Sequence, residues 1–360
     1  MSGMAMTGGR TFTNRHLCGL VLSSWLSLMS GTAVHAVERG DVAGIPDPLD
    51  RIDAFEQHRG KLESGGVDDG LFALYQRVGR AYYQTGNSII AGQLLRSALG
   101  LSERLTVSDQ QLAQLYNDLG LVSVARSDLD RAMTYFGQSL ELARKSADRP
   151  LEVVSGVNAA RTVLGLGEVH SLDTRLEHLS VALDGMDQGT EYATHALEIG
   201  ELYRRAVGRG ALGKEGRLEA LALYQRALQI SLQISARGLE SRALGSLGQL
   251  YEDERQVNHA LDYTRRASFA AQQIGDDVLL YRWQWQLARL LRMGGDIEAA
   301  LDAYRDAVAT LTRARPQLLN AVSINHRQEI SPVYYELADL LLTRSGEAEA
   351  RREEIGRAHV

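Results

Sequence analysis

The sequence predicts an all-α chain, a solenoid of antiparallel helix pairs, on three observations. A two-helix pattern recurs six times at a nearly constant step. The helices of each pattern meet at Gly or small residues, whose missing side chains let two axes approach to about 8–10 Å. Only five prolines occur in 360 residues, so the helices run almost uninterrupted.

The clearest copy is Tyr281 to Pro316, with two apolar-periodic helices separated by Gly294-Gly295. Asp296 is placed to cap the second helix, its carboxylate accepting free amide hydrogens of the first turn. Ala288 on the first helix and Ala300 and Ala307 on the second mark the close approach, with Leu291 and Tyr304 filling the space around them. A pair this short leaves one apolar face uncovered, and only a neighbouring copy covers it.

Taking Ala288 as anchor, the other copies align on Gly79, Gly120, Ala160, Gly200 and Gly248, at intervals of 41, 40, 40, 48 and 40 residues. Twelve residues past each anchor stand Ala91, Ala132, Leu172, Ala260 and Ala300; four further on stand Leu95, Phe136, Leu176, Thr264 and Tyr304. The Gly200 copy regains the pattern eight residues late, at Ala220, Tyr224 and Ala227, which accounts for its longer interval.

A small anchor, an aromatic three residues on (Tyr82, Tyr203, Tyr251), Ala at twelve and an aromatic at sixteen resemble the tetratricopeptide repeat, over about Leu71 to Pro316. The resemblance implies a right-handed superhelical solenoid. Its usual unit is about 34 residues, so a spacing near 40 predicts longer helices and turns. The Ala160 copy departs from the pattern, with Leu172 and Leu176 where Ala and an aromatic are usual.

In that family the first helix of each unit lines a concave face, and positions 3 before, 1 after and 4 after the anchor point inward. Carried over, the stripe is Gln76, Arg80 and Tyr83; Asn117, Leu121 and Val124; Val157, Arg161 and Leu164. It continues as Leu197, Glu201 and Arg204; Gly245, Gln249 and Glu252; Trp285, Arg289 and Arg292. An exposed Trp285 beside two guanidinium groups would suit a peptide carrying a carboxylate or an aromatic group. The alternative is that Trp285 packs against the following helix and the arginines are solvated. Trp283 is expected in the core.

At the N-terminus, Met1 to Ala36 reads as an export signal: Arg10 and Arg15, an apolar run from Leu17 to Met29, then Val34-His35-Ala36 as a cleavage site. This predicts a secreted or periplasmic protein, with a signal anchor in the inner membrane as the alternative. The run is short for a permanent span, which needs about 20 apolar residues. Cleavage would take the formal charge from −6 to −8 and remove Cys18, the only cysteine, so the mature chain would lack disulfides and thiolate chemistry. Residues 37–70 are a leader rich in Gly, Asp and Pro, with Gly44 to Pro48 extended, a short helix over Pro48 to His58, and the role of covering the first unit.

A mildly acidic chain has no general field for phosphate backbones, so nucleic acid is not expected as a partner. Catalytic, metal and cofactor constellations are not recognisable. The turn Val207 to Arg217 contains Gly208-x-Gly210-x-x-Gly213 and Lys214, but it follows a helix where a dinucleotide site needs a strand, and Glu215 would repel a phosphate. His170 and His178, eight apart, have no third ligand at a recognisable spacing; His195, His259 and His326 are isolated. Glu252-Asp253-Glu254 reads as a solvated helix end.

Beyond Pro316 the period lapses into a helix over 317–328 and another from Ser331, with Pro332 in its first turn. The passage HRQEISPVYYELADLLLTR resembles the helical bridge that joins such arrays to a caspase-like peptidase domain, the CHAT domain. Residues 346–360 are a tail, and Ile355 to Val360 matches the translation of a widely used sequencing adapter, which predicts a gene cut short and a longer natural protein. The chain is therefore expected to be a non-enzymatic scaffold binding a peptide or protein, or, alternatively, the substrate- or activator-sensing arm of a longer CHAT-type cysteine peptidase. The oligomeric state is not legible.

Overall fold

The computed structural model describes residues 38–167, 171–320 and 331–346, and among them there are helices and no strands. Six antiparallel pairs follow one another: α3 (Asp69–Gln84) with α4 (Ser88–Ser102), α5 (Asp109–Ala125) with α6 (Leu129–Lys145), and α7 (Arg149–Leu166) with α8 (Leu172–Asp184). Then come α9 (Thr190–Gly208) with α10 (Lys214–Gln233), α11 (Arg237–Asp253) with α12 (Val257–Gln273), and α13 (Asp277–Met293) with α14 (Ile297–Asn320). The signal-peptide expectation, His170, His326 and the tail past Gly346 lie outside the described residues.

The small residues sit where the pairs close. Gly79, Gly120, Gly200 and Gly248 are buried on first helices, and a Cβ on Gly200 would stand 2.6 Å from Cε1 of Tyr224 on the facing helix. The residues expected to meet the anchors are all sealed: Ala91, Ala132, Leu172, Ala220, Ala260 and Ala300 are fully buried, as are Leu95, Phe136, Leu176, Tyr224, Thr264 and Tyr304. The degenerate third pair therefore packs in the same register as the others, with two leucines replacing an Ala and an aromatic. First helices of successive pairs touch one another, whereas second helices do not pack on one another, so the array curves with its first helices inside.

One turn design recurs. A residue with positive φ ends a helix, and the next residue caps the following one. At Gly295 (φ 84°) the Asp296 amide donates back to the Leu291 carbonyl at 3.0 Å, while the Asp296 carboxylate accepts from the Ala299 amide at 3.2 Å. Ala147 (φ 55°) and Asp148 repeat this geometry without glycine, Asp148 accepting from the Leu151 amide at 3.1 Å.

The leader is more helical than its composition suggests. Two helices, α1 (Arg39–Gly44) and α2 (Pro48–Ser64), make up most of it, with residues 45–47 and 65–68 between helices. Asp47 accepts from the Leu49 and Asp50 amides, Pro48 occupies the first turn, and Phe55 and Leu62 bury against the first pair, so tertiary burial carries the helix past His58 to Ser64. Tyr82 of α3 donates to Glu56 of α2 at 2.6 Å, and burial followed by that carboxylate pushes its phenol up to about 12. These helices cover the open end of the first pair.

Two other expectations are corrected. Helix α14 continues through position 316 to Asn320 rather than ending there. The glycine turn spans only residues 209–213, because α9 reaches Gly208 and α10 begins at Lys214.

After residues 321–330, which lie outside the description, a last helix, α15 (331–346), packs on the sixth pair. It has the register of a seventh first helix. Val333 and Leu340 are buried like Leu74 and Ala81 of α3, which makes Ala338 the anchor equivalent. Unlike the six anchors before it, Ala338 is exposed, as are its neighbours Tyr334 and Leu341.

Candidate functional site

The concave face is lined by side chains one residue away from part of the expected stripe. Position +1 behaves as expected in every pair: Arg80, Leu121, Arg161, Glu201, Gln249 and Arg289 are all at least partly exposed. Position −3 does not. Gln76, Asn117, Val157, Leu197 and Gly245 are buried, because the twist between successive units turns this position under the neighbouring first helix. The positions open in every unit are −6, +1 and +5, while −2 is open in four units and buried at Asp118 and Gln286; together they keep the i+3/i+4 spacing of one helix face. Position +4 is mixed: Val124 is exposed, Leu164 is sealed, and Tyr83 is half-buried.

A groove of about 740 Å³ runs over the first helices of pairs three to six and ends against α15. Of the residues expected to line a groove, Arg161, Leu197, Glu201, Gln249, Trp285 and Arg289 border it. Arg80, Tyr83, Asn117 and Leu121 border a second hollow of about 460 Å³ over the first three units, and Arg204 and Glu252 a third of about 320 Å³. Gln76 and Arg292 border none of these. The sequence stripe missed Glu198, Arg205, Arg242, Ser246, Arg282 and Glu336, which also border the main groove. They all fall on the −6, −2 and +5 positions, so a wider helical face would have found them.

Much of the polar stripe is spent joining one unit to the next. Arg80 holds the buried Asp118 at 2.7 Å, and Gln76 reaches the same carboxylate at 3.5 Å. Asn158 donates to Asn117 at 2.9 Å. Arg204 spans its own Glu201 at 2.8 Å and Asp253 of the next unit at 2.7 Å. The acidic run, expected as a solvated helix end, is a clamp instead: Glu252 holds Arg289, Asp253 holds Arg204 and Glu254 holds Arg217 at 3.1 Å. It ties the fifth unit to both neighbours.

The expectation of an open pocket at Trp285 is corrected for the same reason. The Trp285 indole donates to Glu336 of α15 at 2.7 Å, and Tyr304 donates to the same oxygen at 2.9 Å. Arg292 is bonded to Asp339 of α15 at 2.7 Å, and Arg289 stacks 4.6 Å over the Trp285 ring while paired with Glu252. Helix α15 thus satisfies this end of the groove with its own carboxylates. Trp283 is in the core as expected, its indole donating to Ser241 at 2.9 Å.

The middle of the groove is different. Arg161 on α7, Glu198 on α9, Arg242 on α11 and Arg282 on α13 share one electrostatic neighbourhood. Burial alone would raise the Glu198 carboxyl, but a 3.0 Å bond to His195, aided by the charges of Arg161 and Arg242, holds it below the usual carboxylate range. Arg242 is shifted down, first by burial and then by Arg282, with Glu198 opposing. Among the described residues no carboxylate stands within hydrogen-bonding distance of Arg242.

The glycine turn offers no comparable site. Arg209 is committed to the Leu164 carbonyl and Arg217 to Glu254, and a Cβ on Gly213 would stand 3.2 Å from the Glu215 carboxylate at the start of α10. Among the described residues no group of three or more His, Cys, Asp or Glu is arranged to hold a metal, and no helix is long and apolar enough to cross a membrane. His195 bonds to Glu198, and His259 lies against Tyr251 with ring centroids 5.3 Å apart.

No protein-family model and no curated protein matches the sequence. Among solved structures the chain is similar to the apo form of RapI, at 12% identity and a TM-score of 0.56, covering 75% of this chain and 94% of that one. It is also similar to a Rap protein complexed with competence and sporulation factor, at 17% identity and a TM-score of 0.48 over 84% and 82% of the two chains. A third is the C-terminal part of a TPR repeat-containing protein from Cytophaga hutchinsonii, at 11% identity and a TM-score of 0.42 over 77% and 95%. The likeness to RapI is one of fold: an all-helical, tetratricopeptide-like solenoid.

Proposed function

We propose that this chain is a protein-interaction scaffold that receives a peptide or an extended protein segment along its concave face and performs no reaction itself. The observation that carries this reading is the groove of about 740 Å³, open along first helices of four successive units and bordered by Arg161, Glu198, Arg242, Ser246 and Gln249. A trough built from rigid, mutually braced helices presents preorganised groups, which lowers the ordering cost of capturing a flexible ligand. Residues 1–36 support placing the scaffold outside the cytoplasm, secreted, periplasmic or held by a signal anchor.

Site-specific photo-crosslinking tests the groove. A photoreactive amino acid at Gln249, in the groove, should yield a discrete adduct with a partner, whereas the same group at Arg305, exposed on α14, should not. Adducts of equal yield from both positions, or from Arg305 alone, would contradict the reading.

A second reading makes the array the sensing arm of a longer CHAT-type peptidase. The feature in its favour is α15, a first helix whose pairing face, Tyr334, Ala338 and Leu341, is uncovered and would accept a further helical element. Long-read sequencing across the 3′ end of the gene separates the two readings: a stop codon after Val360 removes the second.

A further inference from the structure

We infer that Gln249 and Gln286 form a clamp for the main chain of an extended ligand, with Gln286 accepting the N–H and Gln249 donating to the C=O of one ligand residue. This inference rests on the scaffold reading and specifies how the partner is held. Gln286 on α13 borders the groove yet is only 1% exposed, and its carbonyl oxygen has no hydrogen-bond partner among the described residues. A buried acceptor without a donor is costly and rare in a native fold.

The orientation of this amide is fixed by its surroundings. Its NH2 end donates to the Gly245 carbonyl at 3.3 Å and to the Thr264 hydroxyl oxygen at 3.0 Å. The Thr264 hydrogen is spent on the Ala260 carbonyl at 2.7 Å, so both neighbours can only accept, and turning the amide over would set oxygen against oxygen. Gly248 makes room for the arrangement: a Cβ there would stand 2.7 Å from the Gln286 nitrogen and 2.6 Å from the Thr264 oxygen.

The repeat shows what this junction lacks. Arg80, at +1 of the first unit, and Asp118, at −2 of the second, close their junction at 2.7 Å. The same two positions between the fifth and sixth units hold Gln249 and Gln286, both bordering the groove, and the Gln249 side chain makes no hydrogen bond among the described residues. Where the first junction spends a donor and an acceptor on each other, this one leaves both uncommitted. The N–H and C=O of one residue in an extended chain point to the same side, which is how strands exchange bonds. One residue laid across α11 and α13 can therefore meet both amides. Such contacts read no side chain; they hold the chain and leave selectivity to the rest of the groove.

The test is a random-peptide library screened with the full chain, followed by a backbone-ester scan of a selected peptide, each ester replacing one N–H by oxygen. One ester should weaken binding to the parent about fivefold to tenfold, and that penalty should vanish in Gln286→Leu, which has no acceptor. Gln249→Leu, at a partly exposed position, should keep the parent's melting temperature and bind the unmodified peptide about fivefold more weakly, which tests the clamp even where Gln286→Leu fails to fold. An ester scan without a sensitive position, a penalty that persists in Gln286→Leu, or a Gln249→Leu variant that binds like the parent would overturn the clamp and leave the scaffold standing. A library that yields no binder would count against the scaffold, and the clamp with it.

Discussion

Arg289 of the sixth unit grips Glu252 of the fifth through two parallel bonds, Nε to Oε1 at 2.7 Å and Nη2 to Oε2 at 2.9 Å, while its guanidinium plane lies over Trp285. Only an arginine makes both contacts, because a lysine ammonium is a point donor that neither forks nor stacks. Both partners are mostly buried, so removing one leaves the other charge in a poor solvent. Arg289→Ala should cost about 2–4 kcal/mol, and Arg289→Lys should recover less than half of that. Urea denaturation monitored by tryptophan emission measures both, and a lysine variant as stable as the parent would show that the fork contributes nothing.

Glycine serves different purposes at two helical sites. Gly200 faces the Tyr224 ring, where a Cβ would stand 2.6 Å and 2.9 Å from two ring carbons of a fully buried side chain. Gly137 on α6 has nothing within 4 Å of such a Cβ. Alanine gains up to about 1 kcal/mol of helix propensity at either site, but at Gly200 it is set against an overpacking cost of about 1–3 kcal/mol. Gly137→Ala should therefore raise the thermal midpoint and Gly200→Ala lower it. Equal shifts of one sign would mean that the close approach at Gly200 is not needed.

The contrast between packing and surface explains what the sequence made legible. The six anchors and their partners were readable because a small residue facing a large one at fixed offsets has few other uses, and all twelve positions on the second helices are sealed. The groove was readable only in part, since the packing of each first helix on its neighbours, which buries Gln76 and Asn117 at −3 and Asp118 and Gln286 at −2, is a property of the stack and not of one helix. Inter-unit pairs such as Arg80 with Asp118 or Arg204 with Asp253 join residues 38 and 49 apart, and no local pattern announces them. Likewise Ser127, Ala147, Ser235 and Arg255 take positive φ without being glycine, so four of the turns carry no glycine signal.

Register can be tested with one substitution at two places. Ala300 is fully buried between α13 and α14, whereas Ala338, the anchor equivalent on α15, is exposed. Ala300→Asp forces a carboxylate between two helices and should cost several kcal/mol, about 3–5. Ala338→Asp should cost less than about 0.5 kcal/mol, as at an ordinary surface site. If Ala338→Asp is as damaging as Ala300→Asp, the face of α15 is covered in solution. A cooperative melt of Ala300→Asp at the parent's temperature would refute the alignment of the units.

The last prediction concerns acid. Glu152 is buried at the start of α7; burial alone would raise its carboxyl, but Arg144 at 2.8 Å and Arg149 at 2.6 Å outweigh that and hold it below the ordinary value of 4.5. A carboxyl depressed on folding binds fewer protons in the native than in the unfolded chain, so its contribution is complete above the unfolded pKa and is lost as pH falls through the folded one. Glu152→Gln should therefore lower the melting temperature at pH 7 by an amount that stays constant down to about pH 5 and shrinks below about pH 4.3. Both arginines are half exposed, so salt should diminish the neutral-pH difference as well. Melting curves of the two proteins from pH 7 to pH 3 decide the matter: a gap that persists at pH 3 would assign the loss to packing around the side chain and not to its charge.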